Sequence, residues 1–140
     1  MSSEKDQTTK QKKRDPNNPC LFCIDPRGVS MQNELAYSAR DSFAVSPGHT
    51  LVIPRRHVDS FFDLTSEEVN ACKELIDKER ALLDKEFNPD GYNIGVNIGQ
   101  AAGQSIFHVH IHMIPRYQGD VENPQGGVRH VIPKNAHYKR

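Results

Sequence analysis

The stretch Phe107-His108-Val109-His110-Ile111-His112-Met113 puts a histidine at every second position with an apolar residue on either side. Successive residues of a β-strand face opposite ways, so this pattern specifies a strand with two unlike faces. His108, His110 and His112 fall on one face, about 6.6 Å apart per two-residue step. Phe107, Val109, Ile111 and Met113 form the other face and need something apolar to pack against. Burying that face locks the register and holds the three imidazoles in line. Two kinds of chemistry suit such a row. One is a metal site of the His-x-His type that keeps an open position for water. The other is nucleophilic catalysis, in which one neutral ring attacks while its neighbours orient it and stabilise charge. Alternation alone does not choose between them.

The partner for the apolar face is a helix. Thr65-Ser66-Glu67-Glu68 carries a capping box, with Thr65 as cap and Glu68 reaching back. Val69, Cys72, Ile76 and Leu83, with Leu75 and Leu82 beside them, keep one apolar stripe at helical spacing to about Phe87. Asn88-Pro89-Asp90-Gly91 then stops the helix. His49 to Ile53, β-branched-rich and closed by Pro54, reads as a buried strand, and Tyr92 to Ile98 and Ser105 to Ile114 read as two further strands. Strands arranged around one long helix predict an α+β domain with an antiparallel sheet.

Residues 1–19 hold one apolar side chain, Met1, and read as a disordered polar leader without the apolar core of a secretory signal. The folded domain is expected over 20–117 and an irregular, solvated C-terminal tail over 118–140, which includes His130 and His137. Lys+Arg and Asp+Glu are each 18, so bulk charge does not hold this chain to nucleic acid. No apolar run reaches the roughly 20 residues of a membrane span. Three cysteines, two of them in Cys20-Leu21-Phe22-Cys23, are a poor disulfide framework, which points to a reducing, cytoplasmic setting. Cys72 falls on the helix stripe as a buried thiol, and Cys20 and Cys23 become candidate metal ligands, although such a pair completes only half of a tetrahedral site.

Gly103-Gln104-Ser105-Ile106-Phe107-His108-Val109-His110-Ile111-His112-Met113-Ile114-Pro115-Arg116, preceded by Pro47-Gly48-His49-Thr50-Leu51-Val52-Ile53-Pro54, resembles the histidine triad (HIT) family. The likeness spans roughly residues 18–117 and implies an antiparallel α+β fold, a tendency to dimerise, and nucleotidyl transfer through a covalent nucleotidyl-histidine. Carried onto this chain, the resemblance makes His110 the nucleophile. His112 then contacts the phosphate and helps the leaving group, and His49 completes the histidine network. It makes Gln104 and Ser105 phosphate and leaving-group contacts, Asn97 an amide that reaches the phosphate, and Asp41 the carboxylate for the ribose hydroxyls, a role its acceptor oxygens suit. An intact third histidine, His112, points to the hydrolase branches. The implied substrate is a small nucleotide with a 5′-phosphoryl group, a dinucleoside polyphosphate or a nucleoside phosphoramidate.

Some bacterial HIT proteins complete a Cys-x-x-Cys pair with two histidines around structural zinc. The matching residues here are Cys20, Cys23, His57 and His108. No catalytic metal is expected. The alternatives are a zinc-stabilised nucleotide-binding module with little turnover, a deadenylase of DNA ends, and a metallohydrolase that gathers the three histidines on one ion.

Overall fold

The computed structural model of the chain describes residues 20–24 and 28–138; the expected leader, 1–19, lies outside them. Five strands form one antiparallel sheet: β1 (Val29–Gln32), β2 (Ala36–Arg40), β3 (Thr50–Pro54), β4 (Gly91–Val96) and β5 (Ile111–Arg116). Their spatial order is β1-β2-β3-β5-β4. A one-turn helix, α1 (Leu21–Ile24), precedes the sheet, and α2 (Ser66–Phe87) connects β3 to β4. This is the α+β architecture expected, an antiparallel sheet with one long helix.

The start of α2 follows directly from its sequence. Thr65 Oγ1 accepts the Glu68 amide at 3.1 Å and Glu68 Oε1 accepts the Thr65 amide at 2.8 Å, which satisfies two of the helix's orphan donors. Its end is at Asn88, left-handed with φ 49°. The buried stripe differs from the apolar one expected. Glu68, Cys72, Leu75, Glu79 and Leu83 face the sheet, whereas Val69 is exposed. Glu79 is fully buried because Ser38 Oγ donates to it at 2.6 Å and Arg40 Nη1 at 3.0 Å. A buried carboxylate is tolerated in this paired form. Arg40 also donates to Thr50 Oγ1 at 2.9 Å, so one ionic network ties α2 to the end of β2 and the start of β3.

Ala36, Val52, Cys72, Leu75, Leu83, Ile111 and Met113 form the core between α2 and the sheet. Burial, with Glu68 nearby, pushes the Cys72 thiol up to about 11. On the opposite sheet face Tyr37, Leu51 and Ile53 pack with Phe22 of α1. That second face carries the histidines, since Leu51 is the cross-strand partner of His112.

The histidine strand begins later than expected, at Ile111 rather than Ser105. Val109 gives its amide to the Val58 carbonyl at 2.8 Å, so the chain around His108 and His110 leaves the sheet ladder. The two-faced alternation survives this: Val109, Ile111 and Met113 are all buried. After β5 the described chain forms two 3₁₀ turns, Gly127–Val131 and Pro133–Asn135. The tail is not simply solvated as expected. Ala136 is fully buried, and its carbonyl accepts from Arg129 Nε at 3.0 Å.

Candidate active site

A cavity of about 570 Å³ opens on the sheet face away from α2. It brings together Asp41 from the end of β2, Asn97 from the end of β4, Ser105 from the loop before the histidines, and His110 and His112. His110 Nδ1 lies 2.8 Å from the His108 carbonyl, which can only accept, so Nδ1 carries the proton. The remaining ring nitrogen, Nε2, keeps its lone pair. His49 is buried behind His112, and its Nδ1 accepts the Val45 amide at 3.1 Å. Its proton therefore sits on Nε2, which donates to His112 Nδ1 at 2.9 Å. That leaves His112 with its own proton on Nε2. Two adjacent imidazoles, with ring centres 5.2 Å apart, are thus held in opposite roles, a lone pair on His110 and a donor on His112.

Burial lowers the pKa of His112, and the neighbouring His110 and His49 rings act in the same direction while Asp41 opposes them. Burial likewise lowers that of His49 against the pull of Asp41. Both rings are therefore neutral near pH 7. Asp41 Oδ1 accepts the Phe43 amide at 2.9 Å, and Oδ2 lies 3.4 Å from His49 Nε2. Asp41, His49 and His112 come within metal-ligand reach of one another. The Val45 amide argues for a relay there rather than a metal cage, because ligation through His49 Nε2 needs a proton on Nδ1, where that amide stands.

Gln104 departs from its expected role. It is buried, its Oε1 accepts the Gly99 amide at 2.8 Å, and its Nε2 donates to the Asp59 and Ile106 carbonyls at 2.8 and 3.2 Å. The side chain braces the loop from the inside, and the loop presents Ser105 to the cavity instead.

His108 turns away to a second cluster. Its Nε2 donates to the Pro54 carbonyl at 2.7 Å, which leaves the Nδ1 lone pair 3.4 Å from both Cys20 Sγ and Cys23 Sγ. His57 Nδ1 lies 3.1 Å from Cys23 Sγ, and the four ligand atoms are all within 4.8 Å of one another. A tetrahedral zinc with ordinary Zn–S and Zn–N bonds separates such atoms by about 3.5 Å. Asp59 stands 3.9 Å from His57 Nε2, where a carboxylate orients a ligating imidazole. The chain thus holds a Cys₂His₂ group that can bind a metal. The three triad histidines serve three different partners and do not converge on one ion, which removes the metallohydrolase arrangement.

Comparison with known proteins identifies the family. The model of the HIT domain matches residues 24–119. The chain belongs to the HIT family. A bis(5′-adenosyl)-triphosphatase of Dictyostelium discoideum is 39% identical over 98 residues, 66% of this chain and 66% of that one. The crystal structure of a HIT family protein from Bacillus anthracis superposes with a TM-score of 0.68 at 37% identity, covering 74% of this chain and 77% of the other. A Zn-bound histidine triad family protein from Mycobacterium smegmatis gives a TM-score of 0.66 at 32% identity over 72% and 77% of the two chains. The cavity lies on one face of the antiparallel sheet and the long helix packs on the other.

The apolar wall of the HIT cavity was not among the expected site residues. Leu21, Phe22, Tyr37, Leu51 and Ile53 line it, and Phe43, 88% exposed, stands at its mouth. Two signals bear on them: Leu51 and Ile53 alternate on β3, and Phe43 follows Asp41 by two residues. Phe22, between the two cysteines, offers no such clue.

Proposed function

We propose that this HIT protein is a nucleotidyl hydrolase that releases a nucleoside monophosphate from a dinucleoside polyphosphate through a covalent nucleotidyl-His110. The observation that carries the reading is the fixed tautomer pair, a lone pair on His110 Nε2 beside a proton on His112 Nε2 in one cavity. The His110 nitrogen attacks the α-phosphorus, and the N–P bond forms as the P–O bond to the leaving group breaks. The leaving oxygen takes the electron pair, met by the His112 N–H and the Ser105 hydroxyl. Water then attacks phosphorus and gives up a proton to solvent as the P–O bond forms, the N–P electrons return to His110, and the monophosphate leaves. One well-aimed donor at such a charge contributes about 3–4 kcal/mol to the barrier. Asp41 accepts the ribose hydroxyls, Asn97 donates to the phosphate, and the aromatic faces of Phe22 and Phe43 flank the base.

Zinc on Cys20, Cys23, His57 and His108 is structural in this reading, since four protein ligands leave no position for water. When bound, it supplies folding stability by clamping α1 to the histidine segment. Cys20, Cys23 and Cys72 form no disulfide with one another, in keeping with a reducing cytoplasm. A homodimer also fits, because β4 is a sheet edge with the half-exposed Ile94, and an open edge is a template for another chain. The catalytic domain is 20–117, with the tail as an accessory segment.

The test is monophosphate release from a diadenosine polyphosphate, an adenosine phosphoramidate and an adenylated DNA end, by wild type and His110→Ala with chelator present. Release from the diadenosine compound that vanishes only in the variant supports the reading. Preference for the DNA end moves the assignment to deadenylation. Equal release by the variant removes His110 as nucleophile, and no release on any substrate leaves a binding module.

A further inference from the structure

The proposed reaction gives the thiols of Cys20 and Cys23 no part beyond holding a metal, yet their setting suits a second chemistry. Cys23 is exposed and Cys20 half-buried, whereas the third thiol of the chain, Cys72, is 1% exposed inside the core. The Cys23 amide donates to the Cys20 carbonyl at 3.2 Å. A turn closed in this way keeps its end residues within about 7 Å, Cα to Cα. A disulfide spans about 4.4–6.8 Å between Cα atoms. The two Sγ atoms already lie within 4.8 Å of each other, so turning the two side chains inward is enough to join them.

Joining them takes the sulfurs away from the imidazoles. Cys20 Sγ and Cys23 Sγ each stand 3.4 Å from His108 Nδ1, and Cys23 Sγ stands 3.1 Å from His57 Nδ1. Metal ligation needs thiolates, and a disulfide offers none, so a joined pair removes two of the four ligands at once. The mechanical consequence follows from the length of α1. Its four residues, Leu21–Ile24, are too few to hold a helix without outside anchors. The sulfurs anchor it toward His57 and His108, and Phe22 anchors it toward Tyr37, Leu51 and Ile53. Losing the first set loosens the wall that Leu21 and Phe22 give to the cavity of His110 and His112.

We propose that Cys20 and Cys23 form an oxidation site for peroxides, at which a reversible disulfide opens the Cys₂His₂ group and loosens the nucleotide cavity. The effect on the cavity rests on the nucleotide reading above; the oxidation site itself does not.

The exposed Cys23 thiolate attacks one peroxide oxygen; an S–O bond forms, the O–O bond breaks and hydroxide leaves. The Cys20 thiolate then attacks the Cys23 sulfur; the S–S bond forms and the S–O bond breaks with loss of a second hydroxide. Together the sulfurs give up two electrons, and one peroxide becomes two hydroxides that take protons from solvent. A dithiol reductant reverses the step by exchange, leaving with the disulfide in its own structure. Exposed disulfides are the labile kind, which suits a switch rather than a permanent staple. Burial in the core keeps Cys72 away from the oxidant.

The test treats the zinc-loaded full chain with a small excess of hydrogen peroxide. It reads thiol content after denaturation, disulfide position by peptide mapping, zinc release by a colorimetric chelator, and AMP binding by calorimetry. Thiols are expected to fall from three to one, with Cys20 joined to Cys23 inside one chain and the zinc released. The Kd for AMP is expected to rise about tenfold, and a dithiol with added zinc should restore the starting state. In Cys20→Ser, which lacks the second thiol, peroxide should leave a sulfenic acid on Cys23 that dimedone traps. The wild-type readings do not depend on that variant folding. Sulfinic acid or disulfides between chains, in place of the bond between Cys20 and Cys23, overturn the proposal, as does a joined pair that keeps its zinc. A joined pair that binds AMP as tightly as the reduced protein overturns the coupling to the cavity. If the reduced protein binds no AMP, the nucleotide reading fails and takes that coupling with it, while the thiol and zinc readings still decide the oxidation site.

Discussion

The Val45 amide on His49 Nδ1 is a single backbone bond, yet it sets the proton position on two successive rings and so decides which atom of His112 faces the cavity. His49→Ala removes the donor that keeps His112 Nδ1 an acceptor. Its expected effect is a fall in kcat of about 10–100-fold with KM little changed, read by steady-state kinetics. His49→Asn, whose amide can donate, should recover part of the loss, as a merely structural defect would not. The same residues carry a pH signature. His49 and His112 both have pKa values lowered in the folded state, chiefly by burial, from an unfolded value near 6.5. The unfolded chain therefore binds more protons below that pH. Their contribution to stability is complete above about 6.5 and is lost as pH falls through the lowered folded values. The melting temperature is expected to drop between pH 7 and 5, with a shallower slope in His49→Asn; a parallel slope would contradict the assignment.

Helix α2 shows which element-scale features were legible. Its two ends were, because a capping box and an Asn-Pro-Asp-Gly stop act within a few residues of chain. Its buried face was read only in part: apolar periodicity has no place for Glu79, whose burial depends on Ser38 and Arg40 from a distant strand. Glu79→Ala leaves Arg40 and Ser38 without that partner and is expected to cost about 3 kcal/mol in urea unfolding. Glu79→Gln should cost less, since its amide oxygen still accepts. At the N-terminus, Arg56 donates to both Glu68 oxygens at 2.8 Å, and that bond, outweighing burial, holds the Glu68 carboxyl down to about 2. Glu68 thus adds stability above its ordinary value near 4.5 and loses it as pH falls through about 2. β1 escaped the sequence reading for a similar reason: its pairing with β2 contains a bulge, and three of its four residues are exposed, so it has no clean alternation. The early start expected for the histidine strand reflects a two-residue period that persists where the ladder hydrogen bonds do not.

Across the whole molecule, the residues of the proposed site were visible because they cluster in two motifs, whereas the space around them was not, because residues far apart in the chain enclose it. Phe22 illustrates this and joins the two clusters. It sits between Cys20 and Cys23, its ring centre is 5.1 Å from that of His110 and 6.0 Å from that of His108, and its carbonyl accepts the Tyr37 hydroxyl at 2.7 Å. His108 belongs to both clusters as well, with Nδ1 toward the cysteines and its backbone carbonyl holding His110 in its tautomer. Loosening the Cys₂His₂ group therefore frees one wall of the proposed nucleotide cavity and the anchor of the proposed nucleophile together. Zinc that binds only the folded chain stabilises it by mass action, so chelation is expected to lower the melting temperature. It should also weaken AMP binding by about tenfold, because Phe22 no longer covers the base and the ordering of α1 must then be driven by the nucleotide itself. Cys20→Ser should reproduce both effects without chelator, and Phe22→Ala should weaken AMP binding while leaving zinc content, measured by atomic emission, at one ion per chain. A chelated protein that melts lower yet binds AMP as tightly as before would show that the cluster supports the fold alone and that Phe22 holds its place without it.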